Sequence, residues 1–145
     1  MTDAERILAI EAIKQTKAHY FRCMDMKDWD GFTAVFTPDA TADYSTASAD
    51  SAEWKAAGAA KVVAFVRGVV EHAVSIHHGH MPEVELTSDT TARAVFAMED
   101  LIYWPEGSRH RTMHGWGHYH ETYEKIGGKW LIKTLRLTRL RVEMA

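Results

Sequence analysis

One change of rhythm limits what this chain can fold into. Ile7, Ile10, Ile13, Tyr20, Phe21 and Met24 recur at helical spacing, as do Val62, Val63, Val66, Val69 and Val70. Beyond them the period drops to two. "MPEVELT", "ARAVFAMEDLIYW", "TMHGWGHYHETYEK" and "KWLIKTLRLTRLRVE" alternate like half-buried strands, separated by turn-rich "SDTT", "PEGSRH" and "IGG". Helices followed by a meander predict an α+β domain. Its expected form is a cone-shaped, curved, mostly antiparallel sheet closed by three N-terminal helices. A total of 145 residues fits one domain, 1–145.

The helix boundaries are marked by their caps. Thr2 and Glu5 fit a capping box that opens a helix over roughly 3–26. Asp28 caps a short second helix in "DWDGFTAVF", and Pro38 with Asp39 ends it before a short strand, "ATADYS". Residues 46–57 read as a loop, a candidate lid, and "GAAKVVAFVRGVVEHA" as the third helix.

Composition excludes several function classes. A formal charge of −3 gives no reason to expect nucleic acid. No apolar run reaches membrane-spanning length, and the acidic N-terminus shows no export signal. The single Cys23 excludes an internal disulfide and agrees with a reducing cytoplasm.

Asp25 is the acid in the wrong place. It follows Ile7 by 18 residues, five turns on, and so falls on the apolar line with Phe21 one turn before it. A carboxylate aimed at a core is costly unless paired, and a helix C-terminus disfavours negative charge. Breaking two local rules at one position marks a functional candidate. A histidine is the useful partner, because the carboxylate orients the imidazole and stabilises its protonated form.

Histidine is plentiful. "SIHHGHMPEVEL" holds His77, His78 and His80, and "HYH" holds His118 and His120. A metal site is disfavoured. Neighbours on a strand point to opposite faces, so His77 and His78 cannot share an ion, and no His-Glu-x-x-His or cysteine pair is present.

Four segments carry a resemblance: "DMKDWD" from Asp25, "ADYS" around Tyr44, "IHHG" around His77, and "GHYHETYEKIGGKW". Over nearly its full length the chain resembles the SnoaL-like branch of the nuclear transport factor 2-like superfamily. Its small dehydratases and dehydrohalogenases are the most similar members. The resemblance implies Asp25 and His77 as the catalytic pair and Tyr44 as a carbonyl-polarising hydroxyl. It places His118 in the pocket lining. Tyr20, five residues before Asp25, matches a Tyr-x-x-x-x-Asp pair seen in the bile acid 7α-dehydratases. Met24 stands where scytalone dehydratases carry a tyrosine, which argues against that substrate.

The expected function is a cofactor-independent dehydratase acting on a small hydrophobic cyclic carbonyl compound. His77 would be the base, Asp25 its orienting group, Tyr44 or Tyr20 the oxyanion donors, and the imidazolium or His118 the acid. Phe21, Met24, Phe36, Val66, Phe96 and Met98 would supply apolar walls. An isomerase, a polyketide cyclase and a non-catalytic binding domain remain open, and His78 is the rival base. The resemblance also implies a homo-oligomer, dimer or trimer. Apolar residues beside Arg136, Arg139 and Arg141 suit such an interface.

Overall fold

The computed structural model describes residues 1–45 and 54–145. Of the candidate lid at 46–57, residues 46–53 lie outside the described residues, and Lys55–Ala57 form a strand, not a loop. The elements run α1 (Asp3–Asp25), α2 (Trp29–Thr33), β1 (Phe36–Asp43), β2 (Lys55–Ala57), α3 (Ala59–Val70), β3 (Val74–Leu86), β4 (Thr91–Tyr103), β5 (Thr112–Ile126) and β6 (Lys129–Met144). The six strands form one curved sheet in the order β2-β1-β6-β5-β4-β3. All neighbours are antiparallel except β1 and β6, which run parallel. The sheet stays open, with β2 and β3 as its edges.

The capping box at Thr2 and Glu5 is present in full, and Asp28 caps α2 through Gly31 N–H at 2.9 Å. The buried stripe of α1 runs through Ala9, Ile13, Lys17, Tyr20, Phe21 and Met24. Ile7 and Leu8 are exposed, so the apolar line used to place Asp25 is not the buried one at that end. Asp25 is enclosed instead because the last turn of α1 is tied to β3 through Ser75 and His77.

Two strands begin earlier than their alternation suggests. β1 starts at Phe36 and carries Pro38 where its register against β6 shifts, between Phe36 and Thr41. β3 starts at Val74, not Met81, and Pro82 lies in the register shift between His80 and Glu83. Proline is tolerated at such breaks and on edge strands, where its missing N–H costs no ladder bond. The histidine cluster thus lies within a strand.

The core fills the space between the helices and the concave face of the sheet. β4 contributes Ala92, Ala94, Phe96, Met98 and Ile102; β5 contributes Tyr119 and Tyr123; β6 contributes Trp130, Ile132, Leu135 and Leu137. α3 adds Val62, Val63, Val66 and Val70. Toward the open end of the concave face the packing gives way to a cavity of about 1110 Å³.

Candidate active site

His77 and Asp25 meet. The Nδ1 of His77 lies 2.7 Å from Oδ1 of Asp25, and the backbone N–H of His77 donates to Oδ2 at 2.7 Å. Ser75 Oγ donates to the same Oδ1 at 2.9 Å and accepts from Lys27 Nζ at 2.7 Å. An ionised carboxylate only accepts, so Nδ1 carries the proton and Nε2 holds the free lone pair. Both carboxylate oxygens are engaged, and this fixes the ring's tautomer and angle together.

The ring plane has a second support. Phe21 lies parallel to the imidazole, 15° off, with centroids 6.3 Å apart. Gly79, two residues along β3, leaves room for it: a Cβ there would stand 2.5 Å from Phe21 Cε2. Gly79→Ala should therefore push the Phe21 ring out of its seat. A loss of roughly 1–3 kcal/mol is expected, as for overpacked cores. A denaturant midpoint unchanged from wild type would show that Phe21 moves freely.

Nε2 of His77 faces the cavity and a second acid. Asp100, its cross-strand partner on β4, puts Oδ2 at 3.8 Å. Asp100 is held in turn by Arg139 of β6 in a bidentate pair, Nη1 to Oδ1 at 2.6 Å and Nη2 to Oδ2 at 2.9 Å. Burial alone would lower the Arg139 guanidinium, but the bonds and charge of Asp100 outweigh it and raise it. Gly115 makes this possible, since a Cβ there would lie 2.3 Å from Arg139 Nη1 and 2.5 Å from Asp100 Oδ1.

Three phenols add to the polar lining. Tyr20 and Tyr44 share a hydrogen bond of 2.9 Å between their hydroxyls, and Tyr119 packs edge-on against Tyr20. The shared bond uses one of their two protons and leaves one to offer. Burial, followed by the neighbouring phenols, holds Tyr20 well above the usual phenol range. Burial does the same for Tyr44 and, with Asp100 adding to it, for Tyr119. These hydroxyls are protonated donors at neutral pH.

Met24, Trp54, Phe65, Val66, Val69 and Ile102 are prominent in the apolar lining, and Asp43, Ser45, Arg109, His110, Arg136, Thr138 and Arg141 add further polar groups. Of the expected wall residues, Met24 and Val66 line the cavity. Phe21 backs His77, Phe36 packs in the core on Tyr20 and Phe32, Phe96 is core, and the sulfur of Met98 accepts from Arg139 at 3.6 Å.

His118 requires a correction. It stands on the face of β5 opposite Tyr119, beside His120 at 6.2 Å between rings, away from the cavity. Residues adjacent on a strand point to opposite faces, and Tyr119 takes the inward one. The rival His78 likewise faces outward, 3.7 Å from Glu99, which also bonds His114 and Trp116. Among the described residues no group of three or more His, Cys, Asp or Glu side chains is arranged to hold a metal ion.

Asp100 and Arg139 are the residues that sequence reasoning missed. The alternation Phe96, Met98, Asp100, Ile102 signals an inward Asp100. Arg139 carries the same signal, next in the alternation after the buried Leu135 and Leu137, and the structure turns it inward onto Asp100 and away from the outer interface face expected for it.

Comparison with known proteins decides the family. The SnoaL-like domain matches residues 5–136. The chain belongs to the SnoaL-like family. It is 30% identical, over 91% of each chain, to a Gibberella zeae protein named as a probable cyclase. Among solved structures it is similar to a Novosphingobium aromaticivorans protein named for scytalone dehydratase, with a TM-score of 0.86 and 17% identity over 99% of this chain and 92% of that one. The hexachlorocyclohexane dehydrochlorinase of Novosphingobium barchaimii gives a TM-score of 0.82 at 17% identity, over 99% and 94% of the two chains. Likeness at this level establishes the nuclear transport factor 2-like fold expected from the sequence. No helix among the described residues is long and apolar enough to cross a membrane.

Proposed function

We propose that this SnoaL-like chain is a lyase, a dehydratase acting on a hydrophobic cyclic compound with a hydroxyl β to a carbonyl. One observation carries the reading. A histidine with Nδ1 fixed to a carboxylate at 2.7 Å turns its other nitrogen into a largely apolar cavity. Side chains supply every proton donor and acceptor the chemistry needs.

His77 Nε2 takes the proton from the carbon next to the carbonyl. The charge that develops on the carbonyl oxygen is met by the hydroxyl pair Tyr20–Tyr44, which is preorganised to donate. The imidazolium is stabilised by Asp25 on one side and by Asp100 on the other. It then returns the proton to the departing hydroxyl. A carbon–carbon double bond forms, the carbon–oxygen bond breaks, and water leaves. With His118 on the far face, His77 serves as both base and acid. A positioned acid–base group typically contributes ~10²–10⁴-fold.

Cyclisation is the second reading, and the name of the Gibberella zeae relative favours it. The same pair would form an enolate that attacks a second carbonyl within the substrate. Mass spectrometry of products from a panel of cyclic β-hydroxy ketones and linear polyketones separates the two. Loss of one water from the cyclic hydroxy ketones supports the dehydratase. Ring closure at unchanged mass supports the cyclase. Neither product from either set, above a His77→Ala control, rejects both.

A further inference from the structure

Behind the wall that carries the phenols lies a charge the proposed reaction leaves unused. Lys17 is 1% exposed and does not line the cavity. Its Nζ lies 3.6 Å from the ring centroids of both Tyr20 and Tyr119, with Phe21 at 4.9 Å. It donates to Oε1 of Glu121, equally buried, whose Oε2 accepts from Tyr123. Burial draws the ammonium down to about 8, against the opposing pull of Glu121.

Stability does not explain this arrangement. Two buried charges cost several kcal/mol each in desolvation, and apolar replacements of buried pairs are often neutral or stabilising. What the ammonium has that an apolar residue would lack is a position against two aromatic faces. A desolvated cation there interacts with the ring by ~2 kcal/mol. That attraction strengthens as electron density rises on the ring, as it does when the phenol shares its proton with an anion. Glu121 cancels the charge at longer range, so the influence is confined to the rings it touches.

We propose that Lys17 is a positioning residue of the site: seated between Tyr20 and Tyr119, it strengthens their hydroxyls as donors to a substrate oxyanion. The substrate class it favours is one whose carbonyl becomes a full enolate. This rests on the acid–base reading above, and the test separates the two.

The test uses the double variant Lys17→Met with Glu121→Gln, which removes both charges and keeps an acceptor for Tyr123. The probe is 4-nitrophenolate, an oxyanion mimic, compared with neutral 4-nitroanisole. Wild type should prefer the phenolate, and the double variant should lose about tenfold of that preference. It should fold with a melting temperature at or above wild type, and kcat should fall by a similar factor with KM little changed. Tyr119→Phe, with the ion pair intact, should lose part of the same preference.

The proposal is overturned if wild type shows no preference or if either variant keeps all of it. It is also overturned if the double variant fails to fold, which would make the pair a structural element. His77→Gln divides the two claims. It should lose turnover yet retain the phenolate preference. Retained turnover in that variant would reject the acid–base reading and leave the role of Lys17 standing.

Discussion

Asp25→Asn should lower turnover by ~10²–10⁴-fold while leaving the fold intact. The reason lies in the direction of each hydrogen bond. Asp25 accepts three: from the His77 backbone N–H, from His77 Nδ1 and from Ser75. An asparagine has one oxygen and one amide. If the oxygen keeps the backbone bond, the amide nitrogen faces Nδ1 and donates to it. The imidazole must then carry its proton on Nε2, the position that has to be empty for it to act as a base. Geometry survives and the tautomer is reversed. His77→Ala should abolish turnover outright, because the base itself is gone. The check is kcat on the substrate found by product analysis, with circular dichroism confirming the fold. An Asp25→Asn protein within a few-fold of wild-type kcat would remove the pair from the mechanism.

Arg139→Met should cost about 3–5 kcal/mol of stability, the largest effect expected from any change outside the His77–Asp25 pair. Asp100 is 2% exposed, and both its oxygens rest on the guanidinium. Without Arg139 it must stay charged and unpaired or take up a proton in the interior, and either is unfavourable. The second substitution Asp100→Leu should restore most of the loss, since it removes the stranded group. Urea unfolding of the single and double variants checks this. A single variant that unfolds at the wild-type midpoint would mean that water reaches Asp100. Restored stability should not restore turnover, because the double variant also lacks the acceptor near His77 Nε2.

The sheet and helices were legible because burial on one face imposes a period. The valines of α3 and the alternation of β4 and β5 express that directly. Pro38 and Pro82 hid the starts of β1 and β3, since a proline that ordinarily argues against a strand is tolerated at a register shift. The site was legible in part. Asp25 stood out as a charge among apolar residues, and the same test applied to Lys17 on the stripe Ile13, Lys17, Tyr20, Met24 would have found it too. Motif likeness assigns His118 to the pocket, whereas strand alternation, with Tyr119 beside it facing inward, turns it to the other face.

The class of fold, the caps of its helices and the identity of the unusual acid all follow from local spacing along the chain. What that acid touches depends on long-range packing. The contacts His77–Asp25, Asp100–Arg139 and Lys17–Glu121 join residues far apart in the chain. Their geometry depends on sheet register, on bulges that reset which face a side chain takes, and on glycines at 79 and 115 that leave space. No periodicity encodes these features, because they arise where two segments meet.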